Sequence, residues 1–184
     1  MKLSFATSNP NKVSEANVVG KEFGIEFVRL AEVYPEVRDP SVSVVAREGA
    51  KFVYEKVGEP VIVEDAGMYV DALSGFPGSY SKFVIQHIGN DGILKLLDGI
   101  SERSATFRAA IGYCDGKGTK VFEGVVEGTI AESEMGTEGF GYDPIFIPKG
   151  QKETFAENQE MKNQVSHRRK AFEKLCRWLS DESS

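Results

Sequence analysis

The sequence predicts an α/β fold built on a mixed, twisted sheet flanked by helices. Up to residue 64, short apolar runs alternate with segments of helical periodicity in the order strand, helix, strand, helix, strand, which is typical of partly parallel sheets. Two later segments of alternating polarity, 104–113 and 119–130, flank a glycine-rich turn and predict a long antiparallel hairpin. With 184 residues, we expect a single domain, 1–184, with one substantial core.

The composition excludes some classes of partner. The 22 basic and 28 acidic residues give a net charge of -6, which argues against a nucleic acid polymer but is compatible with a small anion held by a local basic cluster. Cys114 and Cys176 lack metal-ligand spacing, so we interpret them as buried thiols. No apolar run approaches the roughly 18 residues of a membrane span, and no signal-peptide core is present. We therefore expect a cytoplasmic protein without a membrane partner.

The first strand and the first helix meet at a polar turn. Residues 2–7 read as a strand, Asn9 is a good N-cap, and Pro10 suits the first position of a helix. Lys12 then lies in the first turn, where the helix dipole disfavours a cation. An anion bound to the free N–H groups would remove this conflict. A plain capped helix with a solvated lysine is the alternative.

A second strand, 25–30, and a second helix, 43–57, lead to a buried strand that begins at Val61. Its three consecutive β-branched residues suit a strand that is covered on both faces. Glu64 and Asp65 follow at the carboxyl end, where ligands bind in open α/β sheets. Because side chains alternate across a strand, we expect only one of these carboxylates to face a cleft, as a catalytic or metal-binding group.

Glycines punctuate the second half of the chain. An irregular loop is predicted at 75–78, and Gly89 separates two short helices within 79–97. In the hairpin, Gly124 and Gly128 indicate strong twist or a bulge.

Glycines also stand on both sides of Phe140. They let the backbone approach a ligand, an exposed phenylalanine offers a stacking face, and Asp143 can accept hydrogen bonds from the N–H groups of a heterocycle. The alternative is a hairpin corner with a core phenylalanine.

The final helix is predicted to begin after Ser166, its N-cap. Its first turn carries four side chains that can be cationic, His167 to Lys170, which oppose the helix dipole and each other. A solvated basic face would avoid this position, so the pattern predicts a bound phosphate.

Together, these features predict a phosphorylated heterocycle beside a divalent metal ion. A nucleoside triphosphate with Mg²⁺ fits best, because Mg²⁺ takes few protein carboxylates and several phosphate oxygens, so that Asp65 and one further acid suffice. With no pattern of a catalytic cysteine or serine, the expected chemistry is attack of an activated water on phosphorus.

Six motifs follow one another along nearly the whole chain. They are the segments 7–12, 64–67, 75–78, 140–144, 155–157, and 162–163 with 166–168. In this order they resemble the motifs of the inosine triphosphate pyrophosphatase, or HAM1-like, family, in its archaeal type. The resemblance implies a hydrolase that converts ITP, dITP and XTP to the monophosphate and pyrophosphate and cleanses the nucleotide pool. It also implies an elongated homodimer whose subunits have two lobes and a central cleft for the substrate.

The resemblance further implies roles for single residues. Glu36 and Asp65 would bind one or more Mg²⁺ ions, and Asp65 would also activate the attacking water. Phe140 would stack on the purine, and Lys162 would reach a phosphate. The triphosphate would be held by the first motif, which comprises Thr7, Ser8, Asn9, Pro10, Asn11 and Lys12. The purine edge would be read by Asp143, Ser166, His167 and Arg168. Further substrate contacts would come from Ala66, Gly141 and Tyr142.

Selectivity would follow from the purine edge. A site that donates to a 6-oxo group and accepts from N1–H leaves buried groups unpaired when adenine binds. Guanine shares that edge, and the sequence does not reveal what rejects it. Ala66 stands where the family usually has Ser or Thr, and Asn158 replaces a common Met; Lys82 and Arg47 are further candidates for substrate contact. A nucleotide-binding sensor without turnover, and a phosphatase of monophosphates or sugar phosphates, are the alternative functions.

Overall fold

One mixed sheet with helices on both faces organises the described part of the chain, residues 1–32, 34–35 and 37–182 of the computed structural model. The strands are β1 (Lys2–Ala6), β2 (Glu26–Leu30), β3 (Val61–Val70), β4 (Pro77–Gly78), β5 (Ser104–Cys114), β6 (Thr119–Ile130) and β7 (Phe146–Pro148). The α-helices are α1 (Pro10–Glu22), α2 (Val42–Val57), α3 (Ser81–Leu96), α4 (Gln159–Val165) and α5 (His167–Glu182).

The sheet contains both strand directions, as predicted. Its order is β2-β1-β3-β5-β6-β7, and β4 pairs with β3 off this path. Strand β1 runs parallel to β2 and β3, whereas β3, β5, β6 and β7 pair antiparallel with one another in turn. Strand β3 is therefore the place where the parallel and antiparallel halves of the sheet meet.

The first half of β3 is covered on both faces. Val61, Ile62 and Val63 have no exposed surface. Ile62 packs in a cluster with residues of α1 and α5, whereas Val61 and Val63 pack with residues of α2. The prediction of a strand buried on both faces is confirmed, and helices α1 and α5 lie on the opposite side of the sheet from α2.

The second half of β3 belongs to a different core. Met68 and Val70 pack with Val84 and Ile93 of α3 and with a group of aromatic rings. That group comprises Phe107, Tyr142, Phe146 and Phe155. The residues between the two cores, 64–67, thus lie where the two halves of the fold meet. In the described ranges, no helix has both the length and the apolar character needed to span a membrane.

The predicted helix boundaries depend on two caps and one break. The Asn9 side chain accepts a hydrogen bond from the backbone N–H of Asn11 at 2.9 Å, which begins α1. The Ser166 Oγ accepts one from the N–H of Arg169 at 3.2 Å as α5 begins. Helix α3 is interrupted at Gly89, whose φ of 63° and ψ of -171° are not helical. The caps and the break confirm the predictions.

Close packing, rather than a bulge, explains why a glycine occupies position 124 of the hairpin. The register of β5 and β6 is uninterrupted from Ser104 opposite Thr129 to Cys114 opposite Thr119, so no residue is inserted. A Cβ atom on Gly124 would lie 2.0 Å from the carbonyl oxygen of His167. The absence of a side chain at Gly124 therefore lets the first turn of α5 lie directly against the sheet.

Candidate functional site

A cavity of about 620 Å³ opens where the two cores meet. The sequence-predicted residues that line it are Thr7, Ser8, Asn9, Lys12, Asp65, Ala66, Phe140, Gly141, Tyr142, Asp143, His167 and Arg168. Four other candidates, Pro10, Asn11, Lys162 and Ser166, are not among its lining residues. Glu36 lies outside the described residues. The fold thus brings together side chains that are separated by up to 161 residues, from Thr7 to Arg168.

The open end of the cavity, lined by Thr7, Ser8, Asn9, Lys12 and Asp65, is partly accessible to solvent. The Thr7 Oγ1 accepts a hydrogen bond from the N–H of Asn9 at 3.1 Å and fixes the turn into α1. Lys12 Nζ lies 2.7 Å from Glu64 Oε2 and donates to the Glu64 carbonyl oxygen at 3.1 Å. The Lys12 side chain keeps 19% of its surface exposed, so a ligand in the cavity can reach it.

The two adjacent carboxylates of β3 have different surroundings. Glu64 is fully shielded and meets Arg168 as well as Lys12, whereas Asp65 is half-buried. Burial alone would raise the pKa of Glu64, but the nearby charges of Arg168 and Lys12 outweigh it and hold the pKa below its ordinary value. Both residues line the cavity, so the expectation that only one faces the cleft is wrong. The alternation of side chains still separates their surroundings, because Glu64 is buried against two cations whereas Asp65 keeps more exposed surface.

The closed end of the cavity is lined by Phe140, Asp143, His167 and Arg168, with Lys162 buried against them, and is tied together by buried ion pairs. Arg168 Nη1 lies 2.6 Å from Glu15 Oε2, and Lys162 Nζ lies 2.6 Å from Glu15 Oε1. Lys162 also lies 2.7 Å from Asp143 Oδ2. Together with the contacts of Glu64, these form a buried ion-pair chain in which cations and carboxylates alternate. Its members are Lys12, Glu64, Arg168, Glu15, Lys162 and Asp143.

Lys162 belongs to this closed end and not to the start of α1. Its side chain is 1% exposed, and its ammonium lies 4.6 Å from the centre of the Phe140 ring. Arg168 lies 5.4 Å from the same ring centre. This placement favours a role beside the ring of Phe140 over the phosphate contact expected from the sequence.

Phe140 and Asp143 hold each other in place. The N–H of Phe140 donates to Asp143 Oδ2 at 2.7 Å, and the same oxygen accepts from Lys162 at 2.7 Å. Burial raises the pKa of Asp143, although the charge of Lys162 opposes the rise. Phe140 is half-buried and lines the cavity, so it is neither a core phenylalanine nor a freely exposed one.

The cations at the start of α5 are compensated within the chain, so the argument that they require a bound anion is wrong. Arg168 pairs with Glu64 and Glu15. Arg169 pairs with two further glutamates, and Lys170 donates to a backbone carbonyl oxygen. The sequence could not reveal the pairing with Glu64, Glu15 and Glu22, because these carboxylates arrive from other elements of the fold. Only Glu173 lies on α5 itself, one turn after Arg169.

His167 is not a cation in this setting. It is 3% exposed, and its ring stacks on Phe107 with 4.5 Å between ring centres and 5° between planes. Burial, together with Arg168 and Lys162 nearby, holds the pKa of His167 well below its ordinary value. Its Nδ1 is buried and has no hydrogen-bond partner within the described ranges. Because His167 lines the cavity, a ligand atom can satisfy this nitrogen.

Several functional residues were missed from the sequence. Glu15 looked like an ordinary helical carboxylate, yet it joins Lys162 to Arg168. The only signal for it is its position one turn after Lys12 on α1. Further lining residues that the sequence did not single out are Glu32, Tyr34, Ser79, Ser81, Ile85, Gln86 and Phe107. Lys82 lines the cavity, whereas Arg47 is not among its lining residues.

The side chains of Tyr142 and Ala66 are packed rather than presented to a ligand. The Tyr142 hydroxyl donates to the carbonyl oxygen of Ser81 at 2.8 Å, and burial raises the pKa of this tyrosine. Ala66 packs against the core of α1 and α5 and brings a methyl group where a hydroxyl is usual in the family. Any hydrogen bond at position 66 must therefore come from the backbone.

The donor groups at the open end suit a hard cation that arrives with its ligand. Within residues 1–32, 34–35 and 37–182, no group of three or more His, Cys, Asp or Glu side chains is arranged to hold a metal ion. Mg²⁺ does not need such a cage, because it is usually bound by one or two carboxylates together with phosphate oxygens and water. The half-buried carboxylate of Asp65, which lines the cavity, fits that requirement.

The chain is similar to known proteins over nearly its whole length. The family model of the Ham1 family matches residues 3–178. The dITP/XTP pyrophosphatase of Methanopyrus kandleri is 49% identical over 183 residues, covering 98% of this chain and 97% of that protein. The dITP/XTP pyrophosphatase of Pyrococcus horikoshii is 49% identical over 182 residues, covering 97% of both chains.

Solved structures give the same result. The HAM1 protein of Coxiella burnetii superposes with a TM-score of 0.85 at 27% identity, covering 98% of this chain and 99% of that one. The nucleoside-triphosphatase, or dITP/XTP pyrophosphatase, of Mycobacterium abscessus has a TM-score of 0.74 at 34% identity, covering 97% of this chain and 100% of that one. The fold, the ordered motifs and the similarity along the whole chain agree, and the chain belongs to the Ham1 family.

Proposed function

We propose that this protein hydrolyses non-canonical purine nucleoside triphosphates, namely ITP, dITP and XTP, to the monophosphate and pyrophosphate. The observation that carries the proposal is that a single cavity joins a helix N-terminus with Lys12, the carboxylate of Asp65, and an aromatic ring beside polar groups at the opposite end. The names of the relatives, dITP/XTP pyrophosphatases, support the same substrate class.

The triphosphate binds at the open end. The start of α1 offers backbone N–H groups and the positive end of the helix dipole, which attract phosphate oxygens. Lys12 adds an ammonium that the cavity can reach, and the side chains of Thr7 and Ser8 line the same wall. Pro10 and Asn11 serve this end through the backbone geometry of the turn, since neither lines the cavity.

Asp65 has two roles in this proposal. With Glu36, it would hold Mg²⁺, which when bound would offset negative charge on the phosphates. Asp65 also accepts the proton of the water that attacks phosphorus, which makes that water a better nucleophile. The position of Asp65 supports both roles, because this half-buried residue lines the cavity and can be reached by a ligand.

The purine binds at the closed end. Phe140 offers a ring for stacking, and the buried Nδ1 of His167 needs a partner. Arg168 can donate to a 6-oxo group, and the carboxylate of Asp143 can accept from N1–H. In adenine, the group at position 6 is a donor and N1 is an acceptor, so both hydrogen-bonding roles are reversed. Adenine therefore leaves buried partners unpaired, and we expect ATP to be a poor substrate.

We further propose that the protein acts as one domain, 1–184, in the cytoplasm and as a homodimer, as the family resemblance implies. Light scattering after size-exclusion chromatography measures the assembly directly. A mass of twice 20.2 kDa supports the homodimer, and a mass of 20.2 kDa contradicts it.

A panel of nucleoside triphosphates tests the function. Purified protein with Mg²⁺ is expected to release pyrophosphate from ITP, dITP and XTP and to release much less from ATP and GTP. Orthophosphate as the first product would support a phosphatase instead. Tight binding of ITP without any product would support a nucleotide sensor.

A further inference from the structure

Glu64 lies where the open and closed ends of the cavity join. Its side chain has no exposed surface, and cations from the first turns of α1 and α5 both reach it. It is adjacent to Asp65, yet the proposed reaction assigns it no task. A fully buried carboxylate beside a phosphate-binding lysine opposes the binding of another anion, and this opposition is the starting point of the inference.

We propose that Glu64 is a positioning residue that competes with the phosphates of the ligand for Lys12, and that it thereby sets the affinity of the cavity for polyphosphate. Lys12 Nζ lies 2.7 Å from the Glu64 carboxylate and 3.1 Å from the Glu64 carbonyl oxygen. The Glu64 carbonyl oxygen accepts one of the three N–H donors of the ammonium, and the carboxylate attracts its charge. A phosphate in the cavity therefore binds Lys12 at the expense of these contacts.

The two oxygens of the Glu64 carboxylate are held differently. Oε1 receives Arg168 Nε and Arg168 Nη2, each at 3.1 Å. Oε2 is near Lys12, but the contact lacks the geometry of a hydrogen bond. Arg168 is 4% exposed and is also held by Glu15, whereas Lys12 is 19% exposed. Arg168 is thus the permanent partner of Glu64, and Lys12 is the partner that can be exchanged.

This arrangement has a consequence for the reaction. When Lys12 moves to a phosphate, Glu64 keeps its charge-assisted contact with Arg168, so no buried carboxylate is left unpaired. Lys12 can therefore be released again to Glu64 as pyrophosphate departs, which keeps a multiply charged product from binding too tightly. The inference rests on the proposed function, because the polyphosphate in question is that of the substrate and product.

Binding of inorganic tripolyphosphate measures the competition without turnover. Isothermal titration calorimetry in buffer without divalent metal compares the wild type with Glu64→Gln, which keeps the shape and one oxygen for Arg168 but removes the charge that faces Lys12. We expect the Kd of Glu64→Gln to be about fivefold to tenfold lower than that of the wild type, as for the release of a partly exposed ion pair. A purely structural role for Glu64 predicts the opposite direction, because a loosened site binds more weakly.

Two controls separate competition for Lys12 from a general change of charge. Glu32→Gln removes one negative charge from the same cavity wall, but the partner of Glu32 is Lys56. We expect it to change the Kd by less than about twofold, in line with a screened charge. In a Lys12→Met background, Glu64→Gln is expected to have no further effect, because the competing ammonium is gone. An equal gain in affinity with and without Lys12 would overturn the proposal.

Folding is checked by circular dichroism and thermal unfolding of each variant. If Glu64→Gln does not fold, Glu64→Asp keeps the charge for Arg168 and withdraws it from Lys12 by one methylene group. A lower Kd in that variant supports the proposal, and an unchanged or higher Kd overturns it, as does a wild type that does not bind tripolyphosphate. Tight tripolyphosphate binding with the expected variant pattern, but no hydrolysis of any nucleotide, would refute only the proposed function.

Discussion

The two ends of the cavity use similar residues in opposite settings. Each end begins at a helix N-terminus with a cation in the first turn, Lys12 on α1 and Arg168 on α5. The side chain of Lys12 is 19% exposed, whereas that of Arg168 is 4% exposed and is held between two carboxylates. The difference teaches that burial and pairing, rather than residue type, decide whether a cation can exchange its carboxylate partner for a ligand. Arg168 stays bound to its carboxylates and offers a ligand only its remaining N–H groups.

Asp65→Asn is expected to have the largest effect and to act on the chemistry of the open end alone. Loss of the base and of one metal ligand should lower kcat for ITP by about 1,000-fold, in the range of general base catalysis combined with a metal contact. Steady-state pyrophosphate release measures the change, and the thermal midpoint should stay near that of the wild type.

Glu64→Gln is the matched control for this substitution. Its carboxylate is bound to cations of the framework, so we expect a smaller loss of kcat than in Asp65→Asn. A variant of Asp65 that turns over as fast as the wild type, or a reverse ranking of the two variants, would contradict the roles assigned to β3.

Arg168→Met should show that the ion pairs of the closed end stabilise the fold. Removing the guanidinium leaves Glu64 and Glu15 short of a partner, and breaking a buried ion pair in this way costs about 3–5 kcal/mol of the free energy of unfolding. Urea denaturation measures the loss. Arg169→Met is the matched control one residue away, because Arg169 pairs with the more exposed Glu22 and should cost less than about 1 kcal/mol. Equal losses in the two variants would contradict the contrast.

Lys12→Met should weaken phosphate binding without changing which purine base the site prefers. We expect the KM values for ITP and XTP to rise by about tenfold each, since one charge-assisted contact is lost, while the ratio of kcat/KM between ITP and ATP changes little. Lys21→Met, in the last turn of the same helix, is the control and should match the wild type. A large loss of base discrimination in Lys12→Met would mean that the two ends are not separable.

The smallest effect concerns the pH dependence of stability. Since the pKa of His167 is lowered in the folded protein, the unfolded chain binds its proton first as pH falls below the ordinary value of 6.5. The contribution of neutral His167 to the free energy of unfolding is therefore fully present above pH 6.5. It is lost below that pH, by up to about 1.4 kcal/mol per pH unit. The lowered pKa values of Glu15 and Glu64 act only below 4.5. The raised pKa of Asp143 acts in the opposite direction, because the folded protein then binds the proton first, so the share of His167 is found by substituting it.

His167→Asn is expected to flatten this slope, as measured by chemical denaturation across the pH range. His87→Asn, at the exposed second histidine, is the control and should keep the slope of the wild type. A slope that persists in His167→Asn would show that another group carries the pH dependence.

Much of the fold was predictable because its long elements carry periodic patterns. The boundaries of α1 and α5 followed from the caps at Asn9 and Ser166, and the hairpin of β5 and β6 followed from its alternation. Strands β4 and β7 and helix α4, with two, three and seven residues, were not predicted. Such short elements depend on the partners that they pair or pack with, and these are distant in sequence.

The candidate site was likewise only partly predictable from the sequence. Residues of the first motif and Asp65 could be placed at one edge of the sheet, because each follows directly from a strand end or a helix start. The buried ion-pair chain could not be placed, since Glu15 contacts Lys162 and Arg168 across 147 and 153 residues. A surplus of cations at the start of α5 was visible, but the packing of α5 against α1 and β3 supplies most of the carboxylates that neutralise it.

The close approach of Gly124 to the carbonyl oxygen of His167 makes position 124 a spacer between β6 and α5. Its missing side chain sets the distance between β6 and α5 and thereby the height at which His167 and Arg168 enter the cavity. A single methyl group there would shift both residues together, although it touches neither a nucleotide nor a metal ion. The placement of His167 and Arg168 in the cavity therefore depends on a glycine of the sheet that does not itself line the cavity.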